Sequence, residues 1–402
     1  MYDLNLAIRG GTPTRAKPMP ARLAFGPDEE AMVSECLTYY RTRELDPCYQ
    51  GHFEERYCQA FEDFLGSGYA DAVATGTASL YVSIAALSLP KGSEVLVSPI
   101  TDPGTLSAII LNGLTPKLMD SSPGQYCSGP EEFASRITPK VKAAIVVHSF
   151  GRPAPIDEIV RIAEINGIKI IEDCSQAHGA SLNGQQVGTF GDIAAFSTMY
   201  RKAHITGASG GVVFSRDLQT FQLAAAHADR GKPRWRSNFD DRDPSKFMFP
   251  ALNLHTNEIS CAIGIASLAR LPSSIAARQK YVRGVQNGLA SSKICNPFPV
   301  NDGDSPFIYP VIVDESQLSC TKLDFAKALL HEGIGLNPDY KYLVRDWDWL
   351  HQYLADDYET INARKILSST IFLYLNEKYD QTEIDDTLFA IKKVEAAYST
   401  EP

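Results

Sequence analysis

The sequence predicts an α/β protein, with a mostly parallel sheet in a large domain and a smaller α+β domain at the C-terminal end. Three observations carry this. Between residues 94 and 171, short apolar runs alternate with helical stretches of roughly ten residues, the pattern of a parallel sheet covered by helices on both faces. The chain has 402 residues, 44% of them hydrophobic, enough for one large core plus a second one. Beyond about residue 291 the regular alternation stops, and a strand, a helix, an aromatic-rich loop, a strand and a last helix follow.

In order, residues 1–27 are rich in Pro and Gly and read as an arm laid over another part of the fold. Pro27, Asp28, Glu29 and Glu30 open a helix to about Tyr40, with acids in its first turn where the helix dipole favours them. A second helix runs from about His52 to Leu65 and stops at Gly66; Phe53, Tyr57, Phe61 and Leu65 recur every four positions. A strand at 70–74 leads into Thr75-Gly76-Thr77-Ala78-Ser79 and a helix to about Leu89. The alternation then predicts strands at 94–98, 115–119, 141–147 and 168–171, with helices at 104–112, 130–137 and 156–166. Strands at 190–197 and 210–214 flank a turn, and a helix covers about 217–228. Residues 230–250 are polar and aperiodic, a long surface loop of the kind that is often functional. A helix at 257–271 closes the large domain, whose expected span is 28–272, and a helix at 274–289 follows it at the start of the small one. The small domain, 273–402, has predicted strands at 307–313 and 369–374 and helices at 321–332 and 382–397.

Bulk properties exclude several classes. The net charge of −10 is diffuse and argues against nucleic acid as a partner. The N-terminus lacks a basic flank followed by an apolar core, and no apolar run approaches the ~18 residues that span a bilayer, so the expectation is a soluble cytoplasmic protein without a membrane partner. Eight scattered cysteines show no metal-type spacing, so neither zinc nor a disulfide framework is expected. Cys174 reads as a small buried filler. No G-x-G-x-x-G follows the first strand, which weakens a dinucleotide reading.

Ligands of such sheets sit at the carboxyl ends of the strands. Asp173 closes one apolar run, and Lys202, the one lysine between Lys169 and Lys232, follows another. A strand-end carboxylate and a strand-end amine suit pyridoxal 5′-phosphate (PLP), with the lysine attached to the cofactor aldehyde and the acid paired with the pyridine nitrogen. Taken alone, Asp173 could equally be a cap or an ion-pair partner, and Lys202 a surface charge. Gly76, Thr77 and Ala78 at a helix start make an anion site, since unpaired N–H groups and the dipole favour negative charge; the plainer alternative is that Thr77 is an N-cap.

The stretch Glu172-Asp173-Cys174-Ser175-Gln176-Ala177-His178-Gly179, then Gly191-Asp192-Ile193-Ala194-Ala195-Phe196-Ser197, Lys202 and Gly210-Gly211, resembles the DegT/DnrJ/EryC1/StrS aminotransferases, which act mostly on sugars. The resemblance extends more weakly from Gly10-Gly11-Thr12-Pro13 to the last helix. It implies a PLP-dependent fold type I (aspartate aminotransferase-like) protein. It further implies Lys202 and Asp173 as the catalytic pair, Gly76, Thr77, Ala78 and Ser197 at the cofactor phosphate, and Gln176 at its phenolic oxygen. Asn253, in Leu252-Asn253-Leu254-His255-Thr256-Asn257-Glu258, matches a residue that reaches the phosphate in a neighbouring subunit, which implies a homodimer with shared active sites.

Two departures stand out. His255 occupies a position usually held by arginine, and 99–105 lacks the aromatic that usually covers the pyridine ring, leaving Ile100 or Asp102 for that face. The resemblance implies amino transfer from L-glutamate to a keto-sugar, either a nucleotide-linked keto-hexose or a keto-octulosonate-type sugar acid, for surface polysaccharide or natural-product assembly. Two alternatives remain open. In related sugar dehydratases a histidine replaces the lysine, and His204 lies two residues past Lys202; a non-catalytic regulator would also keep the fold, though no basic helix-turn-helix segment is present.

Overall fold

A computed structural model describes residues 5–400. Helices α1 (Pro27–Arg43) and α2 (His52–Leu65) precede β1 (Tyr69–Val73) and α3 (Gly76–Ala86). The alternation continues as β2 (Glu94–Val97), α4 (Pro103–Leu111), β3 (Thr115–Leu118), α5 (Pro130–Ser135), β4 (Val141–Val147), α6 (Ile156–Asn166) and β5 (Lys169–Asp173). A small hairpin of β6 (Ser181–Leu182) and β7 (Gln185–Gln186) precedes β8 (Ile193–Ser197) and β9 (Gly211–Ser215), then α7 (Leu218–Ala228) and α8 (Glu258–Gly288). The remainder is β10 (Cys295–Pro297), β11 (Tyr309–Val313), α9 (Lys322–His331), β12 (Leu336–Asn337), α10 (Ile361–Ser368), β13 (Thr370–Leu373) and α11 (Gln381–Tyr398).

Seven strands form one sheet in the order β1-β9-β8-β5-β4-β2-β3. β9 is antiparallel to both its neighbours, and every other pairing is parallel. Hence β1, β2, β5 and β8 all point the same way, and their carboxyl ends share one edge. Side-chain alternation divides the core. Val95, Val97, Ile145, Ile171 and Ile193 pack with α3 and α4 on one face, while Leu96, Ala144, Val146 and Ile170 pack on the other with α6. Strands buried on both faces read as continuous apolar runs, which is why they were legible.

The second sheet, β10-β11-β13-β12, is antiparallel throughout and packs its apolar face on α9 and α11. Its short strands β10 and β12 carry too few residues for a pattern and were not expected. The arm lies along this unit: Ala7 N and Thr14 N donate to Glu332, at 2.8 Å each, and Lys393 Nζ donates to Thr12 O at 2.8 Å.

One expectation is corrected. The two helices expected at 257–271 and 274–289 are a single helix, α8, with Pro272 inside it. Leu268 and Leu271 pack with α2 in one cluster while Tyr281, Val282 and Val285 pack with α11 in another, and burial at both ends outweighs the missing proline N–H. The domain boundary expected at 272/273 therefore falls within a continuous helix. By length and composition α8 is also apolar enough to cross a bilayer, but these contacts bury its apolar face inside the protein.

Candidate active site

A cavity of about 810 Å³ opens at the carboxyl edge of the large sheet. Its wall includes Gly76 and Thr77 after β1, Thr101 and Asp102 after β2, Asp173 and Gln176 at the end of β5, Ser197 at the end of β8, and Lys202 beyond it. The common direction of four strands brings these distant segments together.

Lys202 sits in the turn between β8 and β9, where its N–H donates to Met199 O at 2.9 Å. Its Nζ lies 4.8 Å from the centre of the Phe307 ring and makes no ion pair among the described residues. Lys202 is half-buried as a whole, and loss of hydration at its ammonium lowers its pKa, against the opposing pull of Asp173 and Asp102. A lowered pKa enlarges the fraction of neutral, nucleophilic amine.

Asp173 is buried, yet only lightly engaged. Oδ1 accepts from Ser175 N at 3.0 Å, and Oδ2 receives a long contact of 3.4 Å from Thr105 Oγ1. Its neighbour Glu172 points to the opposite face and is saturated: it accepts from Gly188 N, Phe190 N and Gly191 N at 2.7–2.8 Å and from His148 Nε2 at 3.1 Å. Because His148 Nδ1 accepts from Ala154 N at 3.0 Å, the proton sits on Nε2. His148, Glu172 and Cys174 lie close enough to hold a metal, but the histidine and the carboxylate are already spent on this network.

At the start of α3, Thr75 rather than Thr77 is the N-cap, accepting from Ala78 N at 2.9 Å. Thr77 is thereby left to line the cavity, and the N–H groups of Gly76 and Thr77 have no helical acceptor. A Cβ added at Gly76 would stand 2.4 Å from Ser197 Cβ, so glycine is what lets this turn close on the end of β8. This cradle fits a phosphate.

Gln176 is held from behind: Phe150 N donates to its Oε1 at 2.8 Å, and its Nε2 reaches Tyr340 Oη at 3.4 Å. Phe150 adopts a left-handed φ of 60°, unusual for a bulky residue, and its ring is buried against Tyr126 and Phe372.

Some expected residues are not brought to the cavity. Ala78 packs into the core and its N–H is taken by Thr75. Asn253 is exposed on a bridge to Asp229, where its Nδ2 donates to Tyr49 Oη at 3.2 Å. Ile100 is buried and pairs with Leu343, so of the two candidates for the ring face only Asp102 lines the cavity. His204 is fully buried, hydrogen-bonded to Tyr57 Oη at 2.6 Å and Ser267 Oγ at 3.2 Å; burial lowers its pKa to about 3, so it stays neutral. His178 is buried beside it, with Nε2 unpartnered.

Sequence reasoning missed Arg22, Thr105, Phe307, Asn337, Tyr340 and Tyr342, all on the cavity wall. The Tyr-rich composition of the loop near 340 was a signal; the others had none, since they come from segments far from Lys202 in the chain. A smaller cavity of about 370 Å³ lies behind Phe150 and contains none of the expected residues.

The profile of the DegT/DnrJ/EryC1/StrS aminotransferase family matches residues 35–392. The chain belongs to this family. Among relatives, the L-glutamine:2-deoxy-scyllo-inosose aminotransferase of Streptomyces fradiae is 35% identical over 53% of this chain and 50% of that protein. The match thus spans about half the length of that relative. Among solved structures, the aminotransferase from Psychrobacter cryohalolentis superposes with a TM-score of 0.87 at 24% identity, covering 94% of this chain and 99% of that one. An E. coli GDP-4-keto-6-deoxy-D-mannose-3-dehydratase with bound hydrated PLP gives 0.83 at 23% identity, covering 93% and 99%. At these identities the likeness speaks for the fold. This family member therefore has the fold type I α/β architecture expected, with a mostly parallel seven-stranded sheet.

Proposed function

We propose that the protein is a PLP-dependent aminotransferase that moves an amino group from an amino acid to a ketone on a polyhydroxylated ring. The observation that carries this is the meeting of Lys202, Asp173 and the Gly76–Thr77 turn on one cavity, with the lysine amine desolvated and free of any ion pair among the described residues. These residues fit PLP: an anion cradle at a helix start, a lightly engaged buried carboxylate and an available amine.

When bound, PLP supplies an aldehyde that carries the amino group and a ring that accepts electron density. Lys202 would hold the cofactor through its amine and would serve as the base that moves a proton at the substrate α-carbon. Asp173 would pair with the pyridine nitrogen and favour its protonated form. Gln176, fixed by Phe150 N–H, orients the phenolic oxygen.

The donor is L-glutamate, or L-glutamine as in the name of the Streptomyces relative. The acceptor is a nucleotide-linked keto-hexose, a keto sugar acid or a keto-cyclitol, and Asn337, Tyr340, Tyr342 and Tyr374 offer the amide and hydroxyl groups that such a polyol needs. Asn253 and Tyr49, away from their own cavity, suit a contact with a second copy, and we read the working form as a cytoplasmic homodimer. The dehydratase alternative lacks its histidine, because His204 is sealed in the core.

The test is direct. With PLP the protein should be yellow, borohydride should fix the cofactor on Lys202 by peptide mass mapping, and Lys202→Ala should lose both adduct and transfer. An adduct on another lysine, or a Lys202→Ala protein that still transaminates, refutes the reading.

A further inference from the structure

Among its described residues, the N-terminal arm reaches the cavity through one, Arg22. It is pinned on both sides: Asn376 Nδ2 donates to Pro20 O at 2.8 Å, and Leu23 N donates to Glu377 Oε1 at 2.8 Å. Arg22 Nη1 then donates to Tyr200 O at 3.0 Å and to Lys202 O at 2.6 Å, so the arm grips the backbone of the lysine itself.

The rest of the guanidinium has no partner. Nε is buried without a hydrogen bond, and Nη2 makes none among the described residues. These two nitrogens form the side-on fork that matches a carboxylate. The nearby acids are committed elsewhere. Glu377 accepts from Arg278 Nη2 at 3.0 Å as well as from Leu23 N, and Glu29 is paired with Arg270 at 2.6 Å. Arg22 is left facing two other guanidinium groups, Arg270 and Arg278, with no ion pair of its own among the described residues. Burial and these like charges both lower its pKa, and Glu377 only partly offsets them. A half-buried cation beside the reacting lysine, with an unused fork, is a site that lacks its anion.

We propose that Arg22 receives a carboxylate of the amino-acid donor through its Nε/Nη2 edge, while Nη1 holds the backbone beside Lys202. This rests on the aminotransferase reading and names its donor site. It also gives the arm a purpose: an amino acid bound by Arg22 has its amine delivered next to Lys202 by a residue that is itself tied to Lys202.

The probe is glutarate, a dicarboxylate of the glutamate skeleton that lacks an amine, titrated calorimetrically into the PLP-loaded protein. Arg22→Lys keeps a cation able to reach the two carbonyls but loses the fork; Arg22→Gln loses both. Each should weaken glutarate binding about tenfold or more. The visible cofactor band and the affinity for uridine diphosphate should stay as in the wild type. In turnover, the donor KM should rise while the acceptor KM does not.

If Arg22→Gln fails to fold, Arg22→Lys decides. Unchanged glutarate affinity in a folded Arg22→Lys protein with an intact band overturns the assignment, and so does an equal loss for uridine diphosphate, which would make Arg22 a phosphate contact. A wild-type protein that shows no cofactor band overturns the aminotransferase reading instead, and this assignment with it.

Discussion

Glu172 and Asp173 are consecutive on β5, both carboxylates and both buried, yet their surroundings differ in kind. Glu172 faces the layer around β7 and accepts three backbone N–H bonds and one from His148, leaving no capacity for a ligand. Asp173 faces the cavity with one good hydrogen bond and one long one. The lysines divide in the same way. Lys393 is sealed against Glu332 at 2.9 Å, and Lys117 is paired with Glu94 at 2.8 Å, whereas Lys202 Nζ has neither acid nor acceptor among the described residues. Burial with complete pairing marks a structural group; burial with spare capacity marks a group kept for a ligand.

The sharpest way to break this contrast is to neutralise each acid. Asp173→Asn should fold as the wild type and lose about 100-fold or more in transfer rate, measured with saturating donor, because of these two neighbours it is the carboxylate that faces the cavity. Glu172→Gln should do the reverse. It puts an amide donor among three N–H groups and costs about 2–4 kcal/mol in urea denaturation, while activity per folded molecule stays near the wild type. If the two phenotypes are alike, the division is wrong.

A smaller effect is expected from the cradle. Gly76→Ala forces the turn away from Ser197, so PLP affinity in a spectroscopic titration should fall about tenfold. The last prediction concerns an acid that fits neither class. Asp71, on β1, is buried off the cavity with no hydrogen-bond partner among the described residues; burial, and then Asp229, push its pKa up to about 7. Its folded pKa lies above the unfolded value near 4, so the folded state binds the extra proton between those pH values, and stability falls as pH rises through that window. Asp71→Asn should therefore raise the melting temperature more at pH 8 than at pH 4. An equal gain at both would show that the group does not titrate there.

The sequence by itself determined the alternation of strands and helices from Glu94 to Asp173, the turn at Gly76, and the placing of Asp173 and Lys202 after strand-like runs, because each is a local signal: an apolar run, a glycine beside hydroxyls, a charged residue past the end of a strand. It could not say that Ala78 would be spent in the core, that Pro272 would ride inside one helix, or that Thr75 rather than Thr77 would cap α3. The tertiary structure alone decided that Glu172 would be consumed by three backbone N–H groups and His148, and brought Arg22, Phe307 and Tyr340 to the cavity wall from more than a hundred residues away. Such placements follow from sheet order and the packing of the second unit. These are sums of many weak long-range contacts, and no short stretch of chain encodes them.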